Sequence, residues 1–318
     1  MLWGWHRFDS FSSDKVLIRG VIVKHIIENC DCIELLRNID MQFDLSIIDP
    51  PYFRILKNEK WDKFNTYSEY IKWCSEWVEL IGKRMRYSGT VLLYGCTRNF
   101  DILSDLNSLF RKNGFYFVEE IVIDKGMKSI AGRISPKIKM LPPVSENILV
   151  YRKDAKPFVK ELLLSKQKEK GLTVKEIKQY LGMAANGGGN WTKYCGNTEF
   201  PLLPTKEHWL KIQELFDIDL AYSDIEEVYN GILGLTNVWN DIDFNGRKKR
   251  TNHPSEKPLK LSERCIEIFS RPQDVVFVPF LGSGSELLAC KNLNRVCIGS
   301  ELDKCYFENY IKSLIEGE

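Results

Sequence analysis

The sequence predicts an α/β fold, a doubly wound and mostly parallel sheet with a mainly helical inserted region. Three observations predict this class. Short apolar runs typical of strands alternate with segments whose apolar residues repeat at helical spacing. This alternation stops near Lys153 and resumes after a basic cluster at residues 247–250. The segment between the two flanks has only helical patterns and loops.

The first flank supplies several strands and helices. Phe43 to Ile48 is a short apolar strand that a proline pair ends, because proline cannot continue a hydrogen-bonded ladder. Apolar residues then repeat at helical spacing from Tyr67 to Arg86, and Ser88-Gly89 ends that helix. The elements predicted next are a strand at Thr90 to Tyr94, a helix at Ile102 to Phe110, and strands at Phe115 to Ile123 and Asn147 to Tyr151.

The middle of the chain is predicted to be helical and to form an insertion or separate subdomain. Lys156 to Lys170 is a basic helical stretch. Thr173 and Glu176 form a capping-box signature that opens a helix, which Gly182 ends. Thr205 caps a further helix.

The second flank returns to strands and helices. It is predicted to contain a helix at Leu259 to Phe269, a strand at Asp274 to Val278, a tight turn at residues 282–285, a helix at Glu286 to Asn292, and a strand at Val296 to Ser300.

The composition is that of a soluble globular protein, with 44% apolar and 28% charged residues in 318. No apolar run is long enough to span a bilayer and no leader opens the chain, so we expect a cytoplasmic protein without membrane contact. The nine cysteines include a lone Cys30-x-Cys32, with neither a disulfide framework nor a zinc pattern. We therefore expect buried reduced thiols and no metal.

Charge is distributed unevenly, although the net charge is only +2. Asp124 to Tyr180 carries a net +8, whereas Thr205 to Asn245 carries a net −7. The basic part suits a polyanion such as nucleic acid, and a solvated lysine-rich face is the equal alternative. The acidic part does not fit phosphate contact and is expected to face away from DNA.

A glycine turn follows the predicted strand at Asp274 to Val278. Gly282 and Gly284 let the backbone turn sharply and approach a ligand. Glu301 ends the next strand, nineteen positions after Gly282, where a carboxylate can accept hydrogen bonds from ribose hydroxyls. The pattern favours an adenosine-containing cofactor, and a glycine turn needed only for packing is the alternative. A phosphate loop is disfavoured because no Gly-Lys-Ser or Gly-Lys-Thr follows.

The second candidate site directly follows the strand at Phe43 to Ile48. It consists of Asp49, Pro50, Pro51 and Tyr52, at a strand end where α/β sheets bind ligands. An exocyclic base amine is a poor nucleophile, because its lone pair is delocalised into the ring. The Asp49 carboxylate and the Pro50 carbonyl could accept its N–H bonds, and Tyr52 could stack on the flipped base. A proline turn that only caps the strand is the alternative.

Together these motifs resemble the amino-group DNA methyltransferases, over roughly Glu28 to Tyr151 and Asn252 to Leu314. Five segments carry the resemblance in one order: Asn29-Cys30-Asp31-Cys32-Ile33-Glu34-Leu35-Leu36, Asp49-Pro50-Pro51-Tyr52, His253-Pro254-Ser255-Glu256-Lys257-Pro258, Pro279-Phe280-Leu281-Gly282-Ser283-Gly284-Ser285, and Ile298-Gly299-Ser300-Glu301-Leu302-Asp303 with Tyr306 beyond. The catalytic motif precedes the cofactor loop, which is the order of the β subgroup. The resemblance implies a permuted, Rossmann-like class I methyltransferase fold.

The resemblance also implies the residues that bind the cofactor, S-adenosylmethionine. Glu301 would hold the ribose, and Lys257 would lie near the carboxylate end of the cofactor. Asp31 and Cys32 would lie near the adenine ring, and Phe280, Gly282, Gly284 and Ser285 would surround the methionine part. The other implied cofactor residues are Asp49, Pro279, Leu281 and Ser283. Val278 departs from the family, which has an aspartate there that helps to hold the amino group of the cofactor.

The predicted organisation is a catalytic half at 1–151, a target-recognition region at 152–245 and a cofactor half at 246–318. Double-stranded DNA is the expected partner, and a second copy of the chain and a cognate restriction endonuclease are the other candidates. The residues expected to contact DNA phosphates are Lys125, Lys128, Arg133, Lys137, Lys139, Arg247, Lys248, Lys249 and Arg250.

The expected reaction is direct in-line methyl transfer to N6 of adenine after base flipping. The Asp before Pro-Pro favours adenine, while N4 of cytosine and RNA stay open as substrates. A DNA-binding protein with a decayed cofactor site is the rival from another class, and Val278 is its only support.

Overall fold

An eight-stranded sheet organises the larger of the two units into which the chain folds. The computed structural model describes residues 15–18, 21–54, 62–95, 100–130, 141–183, 190–196, 198, 201–244 and 248–316. The larger unit comprises Met1–Met85, Gly89–Arg152 and Val228–Glu318, and the smaller one comprises Arg86–Ser88 and Lys153–Glu227.

The described strands are β1 (Lys15–Ile18), β2 (Val21–Lys24), β3 (Ile26–Glu28), β4 (Phe43–Ile48), β5 (Met85–Gly95), β6 (Phe115–Asp124), β7 (Ser145–Lys153), β8 (Val238–Trp239), β9 (Val275–Val278) and β10 (Val296–Ser300). Strands β1 and β2 form an antiparallel pair, and the main sheet has the order β3-β10-β9-β4-β5-β7-β6-β8. Its first five strands are parallel to one another, and β7 is antiparallel to β5. The predicted mostly parallel sheet is confirmed.

The described helices are α1 (Cys32–Asn38), α2 (Tyr67–Arg84), α3 (Phe100–Lys112), α4 (Lys156–Lys170), α5 (Val174–Tyr180), α6 (Asn190–Cys195), α7 (Lys206–Phe216), α8 (Leu259–Phe269), α9 (Ser285–Asn292), α10 (Lys304–Tyr306) and α11 (Lys312–Glu316), with a π-helical turn at Phe307–Ile311. Along β9, Phe277 packs with α1, α2 and α3, whereas Val276 packs with α8 and α9. The sheet is therefore covered on both faces, as doubly wound folds are. None of the described helices is both long and apolar enough to cross a lipid bilayer.

Three parallel neighbours, β10, β9 and β4, end at the same edge of the sheet. Val278 pairs with Gly299, and Phe277 pairs with Ser46. Because parallel strands point the same way, the residues that follow them, Asp49, Pro279 and Glu301, come together at this edge.

The boundary between α2 and β5 differs from the sequence prediction. The helix ends at Arg84 and the strand starts at Met85, well before the predicted Thr90. Ser88-Gly89 marks an irregularity within the strand, because Ser88 has a left-handed φ of 61°. Pairing with β4 steps from Phe43–Met85 to Leu45–Thr90 across it.

The smaller unit is mainly helical. Helices α4 to α7 enclose an apolar core that includes Leu163, Ile177 and Trp209. Thr173 and Glu176 form the predicted capping box at the start of α5, and the Thr205 side chain caps α7. The unit ends at Glu227, whereas the sequence places the end of this region near residue 245. The difference arises because Val238–Trp239 pairs with β6 and therefore belongs to the larger unit.

Candidate active site

A cleft of about 370 Å³ lies at the shared edge of β4, β9 and β10. This volume is within the usual range of small-molecule sites, about 300–1,000 Å³. The predicted residues that line it are Asp31, Cys32, Asp49, Pro50, Pro51, Tyr52, Lys257, Pro279, Phe280, Leu281, Gly282, Ser283 and Glu301. Gly284 and Ser285, also predicted to bind the cofactor, are not among its lining residues.

The glycine loop is shaped by its packing as well as by its backbone. Gly282 has a φ of 52°, and a Cβ there would lie 3.1 Å from Cε1 of His253. Gly284 has a φ of 75°, and a Cβ there would lie 2.9 Å from Cδ1 of Leu314. The Ser285 hydroxyl donates to the Lys257 carbonyl at 2.9 Å. Gly284 and Ser285 thus hold the loop against its neighbours, while Gly282 and Ser283 line the cleft.

Glu301 is a buried carboxyl group at the cleft, with 8% of the residue exposed. Its Oε2 accepts from the backbone N–H of Gly282 at 2.7 Å, and its Oε1 accepts from that of Asp303 at 2.8 Å. Burial raises the pKa of Glu301 to about 7. A carboxylate held in this way has lone pairs left to accept the hydroxyls of a ribose.

The opening motif lies beside Glu301. Asn29 donates from Nδ2 to the Glu301 carbonyl at 2.7 Å. Asp31 caps α1, because its Oδ1 accepts from the N–H of Ile33 at 2.7 Å. Burial raises the pKa of the Cys32 thiol well above its ordinary value, so this side chain is an uncharged part of the cleft wall.

Asp49 is held by two neighbours. The Tyr52 hydroxyl donates to Asp49 Oδ1, and the Lys257 ammonium lies 3.2 Å from Asp49 Oδ2. The turn itself is tied to α2, because the Tyr70 hydroxyl donates to the Pro51 carbonyl at 2.7 Å. Among the residues that the structure describes, none donates to the carbonyl of Pro50. The turn therefore presents a fixed carboxylate and an available carbonyl.

Lys257 stands at the centre of a buried charge network. Its ammonium also lies 3.2 Å from Glu146 Oε2 and over the ring of Tyr94, 4.8 Å from the centroid. Glu146 in turn accepts from Lys125 at 3.1 Å. Burial lowers the pKa of Lys257, but the Asp49 and Glu146 carboxylates outweigh it and raise that pKa above its ordinary value. Glu146 is a site residue that the sequence motifs did not reveal.

Aromatic side chains that the sequence analysis missed complete one wall of the cleft. Phe64 and Trp73 line it with Phe280, and the Trp73 ring is 5.3 Å from Phe64 and 5.7 Å from Phe280 between centroids. Arg54 fixes Phe64, because its Nε donates to the Phe64 carbonyl at 2.8 Å. Trp73 has the helical spacing of a core residue, so the sequence pattern did not distinguish it from the core residues of α2.

An acidic residue, Glu286 in the first turn of α9, also lines the cleft. Its Oε1 accepts from the Ser262 hydroxyl at 2.9 Å. Burial raises the pKa of Glu286 above its ordinary value. Val278, at the end of β9, lines the same cleft with an apolar side chain.

The predicted phosphate contacts fall into three groups. Lys248 and Lys249 are exposed. Lys125 is only 22% exposed in its ion pair with Glu146. Arg250 is exposed like Lys248 and Lys249, although its guanidinium donates to the Ser283 carbonyl. The positions Arg133, Lys137, Lys139 and Arg247, and the side chain of Lys128, lie outside the described part of the chain.

Known proteins resemble this chain in sequence and in structure. A family model described as DNA methylase, of the N6 and N4 type, matches residues 43–313. Type II methyltransferase M1.MboII of Moraxella bovis is 22% identical over 91% of this chain and 97% of its own length. Type II methyltransferase M.HpaI of Haemophilus parainfluenzae is 33% identical, over only 42% of this chain and 46% of that enzyme.

A solved structure shares the fold. The complex of M1.HpyAVI with S-adenosylmethionine superposes with a TM-score of 0.53 at 20% identity, and the match covers 90% of this chain and 98% of that one. Since the family model spans most of the sequence, from the strand before Asp49 to beyond Tyr306, the chain belongs to the DNA methylase family that acts on N6 of adenine or N4 of cytosine.

Proposed function

We propose that the protein methylates N6 of adenine at a specific site in double-stranded DNA. S-adenosylmethionine is the cofactor of its family. One observation carries the proposal: the Asp49 carboxylate lies in the same cleft as Glu301 and the glycine loop. A methyl acceptor held at Asp49 would thus be next to a cofactor held at Glu301.

The residues present fit this cofactor. Glu301 would accept its ribose hydroxyls, and Gly282 leaves room for close backbone approach. Phe64, Trp73 and Phe280 supply the apolar wall that a nucleoside needs. The bound cofactor would supply the methyl group on its sulfonium.

The Asp-Pro-Pro-Tyr turn would prepare the acceptor nitrogen. Asp49 and the Pro50 carbonyl would accept the two amine N–H bonds and draw the nitrogen towards tetrahedral geometry. Lys257 and Tyr52 hold the Asp49 carboxylate in place, so no reorganisation is needed during the reaction. Extruding the base costs a few kcal/mol, which stacking on Tyr52 would offset.

The smaller unit is proposed to choose the DNA sequence. It lies between the two motif-bearing flanks along the chain and carries the basic helix α4. Lys248 and Lys249 are proposed to contact phosphates. A second copy of the chain and a cognate restriction endonuclease stay predictions from the sequence.

The decisive experiment identifies the methylated nucleoside. Purified protein is incubated with plasmid DNA and S-adenosylmethionine bearing an isotopically labelled methyl group, and the DNA is digested to nucleosides for mass spectrometry. Labelled N6-methyldeoxyadenosine is expected. Labelled N4-methyldeoxycytidine would show that cytosine, not adenine, is the substrate. Label only in a parallel RNA sample would overturn the choice of DNA. Absence of both cofactor binding and product would favour a DNA-binding protein with a decayed cofactor site.

A further inference from the structure

We propose that Glu286, at the start of α9, binds the ammonium group of the methionine part of the cofactor. The end of β9 offers no acidic partner for this group, because Val278 stands there. The inference deepens the proposed function, and it rests on the cofactor alone, not on which base is methylated.

Glu286 is a buried acid that still reaches the cleft. Only 7% of the residue is exposed, yet it lines the cleft wall. Its Oε1 accepts from a neutral donor, the Ser262 hydroxyl, at 2.9 Å, and the carboxylate also interacts with its own backbone N–H. Within the described residues, no lysine or arginine forms an ion pair with it. A buried carboxylate whose hydrogen-bond donors are all neutral is unfavourable, and a cation in the cleft would relieve this cost.

Among the described residues, the cation near Glu286 is Lys257, which already pairs with two other carboxylates. Lys257 interacts with Glu286 only weakly through space, whereas its ammonium lies 3.2 Å from both Asp49 Oδ2 and Glu146 Oε2. That network has two cations, Lys125 and Lys257, for the two anions Asp49 and Glu146. The charge of Glu286 is therefore left to be matched by a ligand.

Val278 stands where the family has an aspartate, so the ammonium group of the cofactor needs an acidic partner elsewhere in the cleft. Val278 is 2% exposed and apolar, so it offers no acceptor to an ammonium group. Yet Val278 and Glu286 line the same cleft, one at the end of β9 and the other one short loop later at the start of α9. Ser262 on α8 holds one oxygen of Glu286, which orients the carboxylate before any ligand arrives.

Two ligands separate the ammonium group from the rest of the cofactor. S-adenosylhomocysteine carries the ammonium group but no sulfonium, so its only cation is the one in question. 5′-Methylthioadenosine keeps the adenosine and sulfur but lacks the amino-acid part. A contact between Glu286 and the ammonium group therefore affects the first ligand and spares the second.

The test is calorimetric titration of both ligands into the full-length protein without DNA. We expect Glu286→Gln to weaken S-adenosylhomocysteine binding by about 10–100-fold, the usual loss for one charged hydrogen bond, and to leave 5′-methylthioadenosine binding unchanged. Glu308→Gln is the matched control, because it removes one exposed carboxylate that pairs with Lys312. It should change neither affinity. Unchanged S-adenosylhomocysteine binding in Glu286→Gln, or an equal loss for both ligands, would overturn the proposal.

A double variant tests whether the acidic partner of the ammonium group can lie at position 278 instead of position 286. Val278→Asp added to Glu286→Gln should recover most of the lost affinity for S-adenosylhomocysteine, because the carboxylate returns to the end of β9. Thermal melting shows whether the double variant is folded, since residue 278 is buried. A folded double variant that binds no better than Glu286→Gln alone would overturn this interchange of the two positions. The comparison of the two ligands decides the role of Glu286 whether or not the double variant folds.

Discussion

The Lys257 ammonium lies 3.2 Å from Asp49 Oδ2 and 3.2 Å from Glu146 Oε2, and so connects the turn after β4 to strand β7. The family resemblance implies that Lys257 lies near the carboxylate end of the cofactor, and this stays a prediction. The observed partners of Lys257 place it beside the Asp-Pro-Pro-Tyr turn. A fixed counter-ion keeps the Asp49 carboxylate oriented before the reaction. Such preorganisation lowers the free-energy barrier of a step in which charge develops.

Asp49→Ala is expected to reduce the single-turnover rate of methyl transfer by about 100-fold or more, a typical loss when one preorganised charge-stabilising group is removed. Asp49→Asn, which keeps the shape, should show a similar loss because the charge is missing. Rapid-quench assays with excess enzyme measure the rate, and gel-shift titration should show DNA affinity close to that of the wild type. A nearly wild-type rate in either variant would exclude Asp49 from the reaction.

Glu146→Gln is expected to lower the free energy of unfolding at pH 7 by about 3 kcal/mol, the range for breaking a buried ion pair. Although burial opposes it, the ammonium groups of Lys257 and Lys125 lower the pKa of Glu146 below 4.5. The stabilisation is therefore present above the unfolded-state pKa and is lost as the pH falls through the lowered one. Urea unfolding at several pH values should show the two proteins converging below about pH 4.5.

The control for that experiment is Glu79→Gln, which breaks an exposed pair with Lys83. Such surface pairs contribute about 0–1 kcal/mol, so this variant should stay close to the wild type at every pH. Equal effects of the two substitutions would show that the network at Lys257 does not stabilise the fold.

Glu301→Ala is expected to weaken S-adenosylhomocysteine binding by about 1–3 kcal/mol, because the ribose hydroxyls lose a buried acceptor. Burial raises the pKa of Glu301 to about 7, and the ionised form is the better acceptor. Wild-type affinity should therefore rise as the pH increases through about 7, and the alanine variant should lack this contribution. Calorimetry from pH 6 to pH 8 measures both effects. Unchanged affinity in the variant would remove Glu301 from the site.

Replacing Lys248 and Lys249 by alanine is expected to weaken DNA binding for all sequences alike and to flatten its salt dependence. Each phosphate contact adds about 0.9 to the slope of log affinity against log salt, so the slope should fall by up to about 1.8. Fluorescence anisotropy at several salt concentrations provides the slope. Lys83→Ala is the control, because this exposed lysine of α2 pairs with Glu79, and its replacement should leave the slope unchanged. A slope unchanged in the double variant would place the phosphate contacts elsewhere.

Exchanging residues 165–225 for the matching segment of a relative is expected to change the recognition sequence, because the shared catalytic residues all lie in the larger unit. An exchange is cleaner than a deletion, which could unfold a unit whose core spans α4 to α7. Sequencing of methylated plasmid DNA identifies the recognition site. An exchanged enzyme that keeps its original recognition site would refute the assignment of this segment.

Local patterns in the sequence were enough to place the strand ends. Asp49 and Glu301 each follow a run of buried strand residues, and the glycines mark a third strand end between them in the sheet. Parallel neighbours bring such residues to one edge, so the meeting of Asp49, Gly282 and Glu301 could be predicted. Helices with clear caps, such as those opened by Thr173 and Thr205, were also predictable.

Side-chain partners across elements were not predictable, because no local pattern encodes them. Glu146 and Lys257 are far apart in sequence, and only the fold brings them together. The sequence likewise did not reveal that the Arg250 guanidinium donates to the Ser283 carbonyl, and the contact of Arg250 with phosphate stays a prediction. Glu286 escaped notice because an acid in the first turn of a helix is usually explained by the helix dipole.

Strands β9 and β10 follow the other described strands along the chain, yet they lie between β3 and β4, which precede most of them. A nascent chain that has not reached Val275 leaves one edge of β4 unpaired and gives β3 no neighbour. Unpaired edges of this kind promote aggregation of incomplete chains. The cleft therefore cannot form until β10 has been synthesised, and a product that terminates before Val275 would contain Asp49 and its turn without the glycine loop.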